Sequence, residues 1–439
     1  MNDIQGEATM LMGVVADDVT GSNDIGIMFA KSGCLTHVHS FTAGFSLAPD
    51  PAGPAADIVI LDTNSRLDQP EVAYRKVLDA TKALRTMGCR RFFNKTCSVF
   101  RGNIGAEFDA MLDALGLEFT VVVLGFPKNG RTTIDGIHYV HGKRLEESEF
   151  RNDPIHPMTR SGLVEILQSQ TRRKVSLLAH DVVDLGADEL RCRINEMRSR
   201  CSYLILDVTD QAALKTIARA VYDEPVLCGS SALGEELPAA WGVPPAREAL
   251  LALPPSNGRG ILVAAGSLMP QTASQIAHLR LLGVPCFALD TGRLFDDAER
   301  EAEIVRLAAA VAERLLAGSD ALFHTPNDPA AAESTCRTAA RYGLSRTEAS
   351  RRVSESVAEV TARVLELSGR NRLVAAGGET SAAVCERLGV NGMRVWKEIQ
   401  PGLPSCISLT DPPLMLVLKS GSFGKPDFFE QALRHLAGE

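Results

Sequence analysis

The chain has 439 residues, 45% of them apolar and 23% charged, with a formal net charge of −8. That length exceeds one ordinary core and predicts two domains, while the acidic balance excludes a general nucleic-acid binder but not a small anion held by local cations. No apolar run approaches a membrane span, and ten cysteines without a CxxC pair exclude a zinc ribbon or dithiol motif and fit a reducing cytoplasm.

The start, MNDIQGEATM, lacks an apolar signal core, so residues 1–11 are expected to form a disordered tail. Val14-Val15-Ala16 reads as a buried strand, and Ile25, Ile27, Met28 and Phe29 as the apolar stripe of a helix stopped by Gly33. The polar turn between them belongs at the carboxyl edge of a sheet, where open α/β sheets bind ligands. Ser22 to Asp24 are expected to cap the helix. Asp17 and Asp18 remain for chemistry, because two adjacent carboxylates repel and need partners.

Asp57 to Leu61 is a second strand, followed by Asp62-Thr63-Asn64-Ser65-Arg66. Arg66 there either forks onto a carboxylate or phosphate or forms a surface ion pair. Residues 69–87 have helical spacing. A strand from Arg91 to Asn94 leads into Lys95-Thr96-Cys97-Ser98-Val99-Phe100-Arg101-Gly102-Asn103-Ile104-Gly105. Lys95, Ser98, Arg101 and Asn103 crowd cations and hydrogen-bonding groups among glycines at a helix start, the makings of an anion site. Thr120 to Leu124 is a strand, Phe126 to Thr133 its exit loop, and Gly136 to Gly142 a hairpin whose His138 and His141 face opposite sides and share no metal. His156, in a rigid Pro-bounded loop, reads as structural. Val175 to Leu178 and Tyr203 to Val208 are further strands. The alternation implies an α/β fold with a mostly parallel sheet.

Pro238, Pro244, Pro245, Pro254 and Pro255 precede Ser256-Asn257-Gly258 and mark the junction. The expected domains are 12–243 and 260–439, joined by a linker at 244–259. Beyond it, three strand–turn–helix units share one design: Ile261 to Ala265 before Gly266-Ser267, Leu373 to Ala376 before Gly377-Gly378-Glu379-Thr380-Ser381, and Leu414 to Leu418 before Lys419-Ser420-Gly421. Such Gly/Ser turns opening helices favour phosphate and together point to a nucleotide site. Neither GxxxxGK[ST] nor GxGxxG is present, which excludes an ordinary P-loop and weakens a nicotinamide-dependent dehydrogenase. Helices at 298–316 and 345–367 are expected only to pack.

In this order, ADDVTGSND (16–24), KTCSVFRGNIGAE (95–107), NGRTTIDGIHYVHG (129–142), NDPIHPMT (152–159), AAGSLMPQT (264–272), AAGGETSAAV (375–384), EIQPGLP (398–404) and LKSGSFGKPDFF (418–429) resemble the four-carbon acid sugar kinase family over nearly the whole chain. The resemblance implies two α/β domains, each a mostly parallel sheet flanked by helices. The amino-terminal one holds the sugar acid and the carboxyl-terminal one ATP, with the active site in the interdomain cleft. It implies phosphorylation of the terminal hydroxyl of D-threonate, D-erythronate or 3-oxo-tetronate. Carried over by motif, Asp17, Arg66, Lys95, Thr96, Cys97 and Ser98 would meet substrate, and Ser267, Gly378, Glu379, Thr380, Ser381 and Gly421 nucleotide, with Gly377 in the same turn. Many threonate and erythronate kinases of the family carry Ile-Asp at Thr96-Cys97. The Cys-Ser pair is similar to the 3-oxo-tetronate branch, whereas the uninterrupted Phe100-Arg101-Gly102-Asn103 is similar to the threonate branch.

In this scheme Asp17 orients or deprotonates the acceptor hydroxyl, supported by Asp18. Arg66, Lys95 and Arg101 bind the substrate carboxylate, and Ser98 and Asn103 its hydroxyls. Mg²⁺ is expected on chemical grounds, ligated mainly by phosphates and water, with Glu379 a candidate and no protein ligand fixed. The rival class is a non-catalytic sensor of sugar acid or nucleotide, which has no need of Asp17-Asp18. Neither nucleic-acid nor membrane partners are expected; a homodimer is admitted but not fixed by the sequence.

Overall fold

Short buried apolar runs, each followed by an amphipathic stretch, become strands and covering helices in the computed structural model, so the α/β expectation holds. The structure describes residues 11–438 apart from 43, 46, 48–55, 154 and 245–252. The expected tail before residue 11, and residues 245–252 of the expected linker with Pro245, lie outside the described residues. The chain divides into two compact units, Met1–Ala249 and Leu250–Glu439.

Unit 1 runs β1 (Met12–Ala16), α1 (Val19–Ala30), β2 (Thr36–Ser40), β3 (Ile58–Asp62), α2 (Pro70–Thr86), β4 (Phe92–Lys95), α3 (Ile104–Leu115), β5 (Thr120–Val123). There follow β6 (Arg131–Ile134), β7 (Ile137–Val140), β8 (Lys143–Arg144), α4 (Leu163–Gln168), β9 (Val175–Leu178), α5 (His180–Val183) and α6 (Ala187–Met197). β10 (Tyr203–Leu206), α7 (Gln211–Val221), β11 (Val226–Gly229) and α8 (Leu233–Ala240) complete it. The parallel order is β2-β3-β1-β4-β11-β5-β10-β9. The chain builds outward from β1 to one side and then crosses to β4 on the other. The strand order therefore reverses at β1, the topological position that opens a ligand crevice. Ala16 is level with Asp62 and with Lys95, so the turns after β3, β1 and β4 leave the sheet side by side.

Several expectations need correction here. Gly136 to Gly142 is not a hairpin. Ile137–Val140 is the middle strand of a three-stranded antiparallel sheet β6-β7-β8, and the exit loop after β5 contains strand β6. His138 is buried within β7, whereas His141 lies beyond its end in an exposed turn at φ 49°, so strand alternation does not relate the two. The cap of α1 is Asp18, whose Oδ1 accepts from the Gly21 amide at 2.7 Å, so Ser22, Asn23 and Asp24 lie inside the helix and are buried.

Unit 2 runs β12 (Leu262–Ala265), α9 (Pro270–Leu281), β13 (Cys286–Ala288), α10 (Asp297–Leu316), β14 (Ala321–His324), α11 (Pro329–Arg341) and α12 (Arg346–Ser368). Then come β15 (Arg372–Ala376), α13 (Gly378–Arg387), β16 (Gly392–Gln400), β17 (Leu403–Ser408), β18 (Met415–Lys419) and α14 (Phe428–Ala437). The order is β13-β14-β12-β15-β18-β17-β16, parallel from β13 to β18 and antiparallel in the last two. The three Gly/Ser turns follow β12, β15 and β18, which are adjacent and parallel, so all three turns share one edge. α13 starts at Gly378, so Glu379, Thr380 and Ser381 form its first turn rather than a loop. No helix among the described residues is long and apolar enough to cross a membrane.

Candidate functional site

In unit 1, β1, β3 and β4 deliver their exit residues to one buried cluster. The Arg66 guanidinium forks onto Asp17, Nε to Oδ2 and Nη2 to Oδ1, both at 2.7 Å. Its Nη1 donates to Asp18 Oδ2 at 2.6 Å. Asp17 and Asp18 are therefore not left over: both are buried and both are paired with Arg66. Burial would push the Asp18 carboxyl up, but Arg66, Lys95 and the Gly21 amide outweigh it and hold the group below its ordinary value. The amides of Ser65 and Arg66 both donate to Asp17 O, at 3.0 and 3.2 Å, which locks the Arg66 turn to β1.

Lys95 is buried, with Nζ 3.0 Å from Thr96 O and 3.8 Å from Asp24 Oδ2. Asp24 also accepts from Ser231 Oγ at 2.7 Å, and burial raises its carboxyl to about 6. Arg101 Nη1 reaches Asp153 Oδ2 at 2.6 Å, and its Nε lies 3.4 Å from Cys97 Sγ. Burial opposes ionisation of the Cys97 thiol, yet Arg101 and Arg66 pull it below its usual value. Asn103 Nδ2 donates to the carbonyls of Ser65 and Asp68, at 3.2 and 2.8 Å, so it fastens the Arg66 turn. Thr96 and Ser98 are buried in the same loop. Phe100 is buried at φ 57°, a strained backbone for an aromatic residue. Next to it Gly102, at φ +105°, lies so close that a Cβ would sit 3.1 Å from Arg66 Cγ. Gly102 and Asn103 thus lie against the Arg66 turn.

Two acidic residues that carry no assignment from the sequence complete the cluster. Burial raises Asp62 to about 7, helped by Asp18 and Asp17 and opposed by the Asn64 amide. Glu107, in the first turn of α3, accepts from Ser65 Oγ at 2.7 Å, and burial with Asp17 nearby raises it well above the usual range. Their signals were a carboxylate closing the second apolar strand and the last residue of the KTCSVFRGNIGAE stretch. His156 Nε2 sits 3.1 Å from Arg66 O, a structural contact. A cavity of about 780 Å³ along α2 and α3, lined by Tyr74, Asp113, Thr171 and Arg173, lies apart from this chemistry, and its Asp113 is already paired with Tyr74 and Arg173.

In unit 2 the three turns touch. A Cβ on Gly421 would collide with Ser267 Oγ, and one on Gly266 with Thr380 Oγ1. Gly377 adopts φ +121°, and a Cβ there would stand 3.1 Å from Thr380 Oγ1 and 3.4 Å from the Ser267 amide. Thr272 Oγ1 donates to Gly421 O at 2.9 Å, joining the first turn of α9 to the turn after β18. Ser267, Gly377, Gly378, Thr380, Ser381 and Gly421 thus gather at one edge, with the amino ends of α9 and α13 beside them. Helix amino ends and closely approachable backbone suit polyphosphate. Glu379 Oε2 accepts from Ser350 Oγ at 2.7 Å, which ties its carboxylate to α12.

Residues 12–237 match a family model described as a sugar-binding N-terminal domain, and residues 262–429 one described as a nucleotide-binding C-terminal domain. A Pseudomonas fluorescens protein named 3-oxo-tetronate kinase is 36% identical over 434 residues, covering 98% of this chain and 97% of that protein. The chain belongs to the four-carbon acid sugar kinase family. A Cupriavidus necator relative bearing the same name is also 36% identical, over 98% of both chains. Among solved structures, a Salmonella typhimurium LT2 protein described as a putative tRNA synthase superposes with a TM-score of 0.81. It is 30% identical, covering 97% of this chain and 100% of that one. A Haemophilus influenzae protein gives 0.69 at 31% identity, over 96% and 98%. As a member of this kinase family the protein is an enzyme that uses ATP to phosphorylate a sugar acid.

One candidate metal cluster among the described residues, Asp135, His180 and Asp207, brings its ligand atoms within 4.8 Å of one another. Asp207 directly follows β10, four strands along the sheet from β1, and already accepts from the amides of Gly136 and His180, at 2.9 and 3.1 Å. It is a turn anchor rather than part of the Asp17 cluster.

Proposed function

We propose that the protein transfers the γ-phosphoryl group of ATP to the 4-hydroxyl of a four-carbon sugar acid, with 3-oxo-tetronate its preferred acceptor. Full-length similarity to relatives named 3-oxo-tetronate kinase carries this reading. Unit 1 binds the acid and unit 2 the nucleotide. The acceptor oxygen attacks the γ-phosphorus while its proton passes to Asp17, the bond to the β–γ bridging oxygen breaks, and ADP leaves. The loose transition state of phosphoryl transfer asks for alignment more than for a strong base. Asp17 suits that role: clamped by Arg66, it is a well-oriented acceptor for the substrate hydroxyl. Arg66 therefore orients Asp17 first, and the substrate carboxylate falls to Lys95, Arg101 and the Thr96–Ser98 backbone. Asp18 caps α1 and holds the third Arg66 nitrogen. In unit 2, Ser267, Gly377, Gly378, Glu379, Thr380, Ser381 and Gly421 receive the phosphates. Glu379 is the side chain that would help hold a Mg²⁺ beside the phosphates, where the ion would supply charge neutralisation.

The reading is tested by steady-state kinetics with ATP and Mg²⁺ against 3-oxo-tetronate, D-threonate, L-threonate and D-erythronate. The expected result is the highest kcat/KM for the 3-oxo acid. Preference for threonate or erythronate by about tenfold, equivalent to roughly 1.4 kcal/mol, overturns the acceptor assignment. Binding without turnover on any of them supports the sensor instead.

A further inference from the structure

Lys419 is the last residue of β18 and stands immediately before the Ser420-Gly421-Ser422 turn. It is fully buried. Its Nζ donates to Thr272 Oγ1 at 2.8 Å and to Gly421 O at 2.9 Å, and it stands 5.9 Å from the centre of the Phe429 ring. These partners are neutral, and among the described residues no carboxylate offsets its charge; burial alone pushes the amine well below its ordinary value. A buried cation without a counter-charge lowers the stability of the fold that carries it, and a well-packed apolar side chain would serve the core better. Such a residue is expected where function requires it.

Its two hydrogen bonds show what it does. Gly421 O belongs to the turn after β18, and Thr272 to the first turn of α9, the two elements that the Thr272–Gly421 hydrogen bond joins. Lys419, Thr272 and Gly421 form a closed triangle in which each is bonded to the other two.

We propose that Lys419 is a positioning residue for the nucleotide phosphates, tying the Gly421 turn to the first turn of α9 from beneath. An arriving polyphosphate supplies the counter-anion that the unliganded triangle lacks, so the residue strengthens nucleotide binding while weakening the empty fold. This rests on the reading of unit 2 as the nucleotide domain.

The test uses the full-length protein with ADP and ATP titrated by calorimetry, together with kinetics and thermal melts. Lys419→Met should weaken nucleotide binding by about tenfold or more, a change of roughly 1.4 kcal/mol. It should leave the sugar-acid KM within about twofold and the melting temperature without nucleotide unchanged or higher. Thr272→Val, which removes the hydroxyl at nearly constant shape, should repeat the loss of nucleotide affinity, and Thr272→Ser should restore it. If Lys419→Met binds nucleotide normally but melts lower, Lys419 is merely structural. Should that variant fail to fold, the Thr272 pair decides: equal nucleotide affinity in Val and Ser overturns the proposal. Wild-type protein that binds neither nucleotide overturns the domain reading itself, whereas wild-type binding with undiminished variants overturns only the role of Lys419.

Discussion

At Asp17 the structure changes the reason for an expected effect. Asp17→Asn replaces one acceptor oxygen with an NH₂ facing the Arg66 fork, so it disturbs both the substrate hydroxyl and the arginine. Turnover should fall roughly 10²–10⁴-fold with ATP binding kept; near-normal kcat would remove Asp17 from the mechanism. Arg66→Ala leaves two buried carboxylates without their partner, which typically costs about 3–5 kcal/mol. It should therefore depress the melting temperature as well as acid binding, and a raised KM for the acid at unchanged stability would mean the pair contributes little to folding. Asp62 allows a sign to be worked out. Its folded value of about 7 lies above the roughly 4 of an unfolded carboxyl. The folded state therefore binds the proton more tightly, and that stabilisation is lost as pH rises from about 4 to about 7. Asp62→Asn should gain stability over wild type progressively across that window and hold the difference above it, as read in melts from pH 4 to 8. A pH-independent difference would show that Asp62 is not protonated in the fold. Residue types were legible at Asp17, Arg66 and Lys95, because strand-end polar turns are local signals. The partners were not: Arg66 meets Asp17 and Arg101 meets Asp153 across sequence separations of 49 and 52 residues that no local pattern records.

Elements were legible where a strand is buried on both faces and followed by a glycine turn, as at β1, β12, β15 and β18. They were missed where the pattern is mixed. β2, Thr-His-Val-His-Ser, interleaves polar groups that are nonetheless buried, and the β16–β17 pair hides its turn in EIQPGLP. The adjacency of β12, β15 and β18 could be argued from parallel topology, but the reason for Gly421 could not. A glycine suits close approach of backbone to phosphate, and the structure adds that Ser267 Oγ occupies the space a side chain would take. Gly421→Val should therefore push the turns after β12 and β18 apart. A rise in the nucleotide dissociation constant with an unaltered acid dissociation constant is expected by calorimetry. Weakened acid binding with intact nucleotide binding would reverse the roles of the two edges.

At the scale of the molecule, length and the proline cluster were enough to suggest two domains, and the strand–helix alternation enough to suggest the α/β class. Which ligand each unit takes came only through motif resemblance, since a Gly/Ser turn and a cationic turn both accept anions. The chain contains two tryptophans, one in each unit. Trp241 stacks on Phe29 with ring centres 6.1 Å apart, and Trp396 packs 5.0 Å from the His435 ring. Trp396→Phe and Trp241→Phe each leave one native reporter. A ligand at about 100 times its dissociation constant stabilises the state it binds by roughly 2.7 kcal/mol. For units of this size that corresponds to about 5–10 °C in midpoint. ADP should raise the transition seen by Trp396 by that amount and the one seen by Trp241 by less, with the sugar acid doing the reverse. The opposite pairing would exchange the two ligands between the units. Equal shifts at both probes under either ligand would mean that the 439 residues unfold as a single cooperative body, in which binding at one sheet edge stabilises the whole.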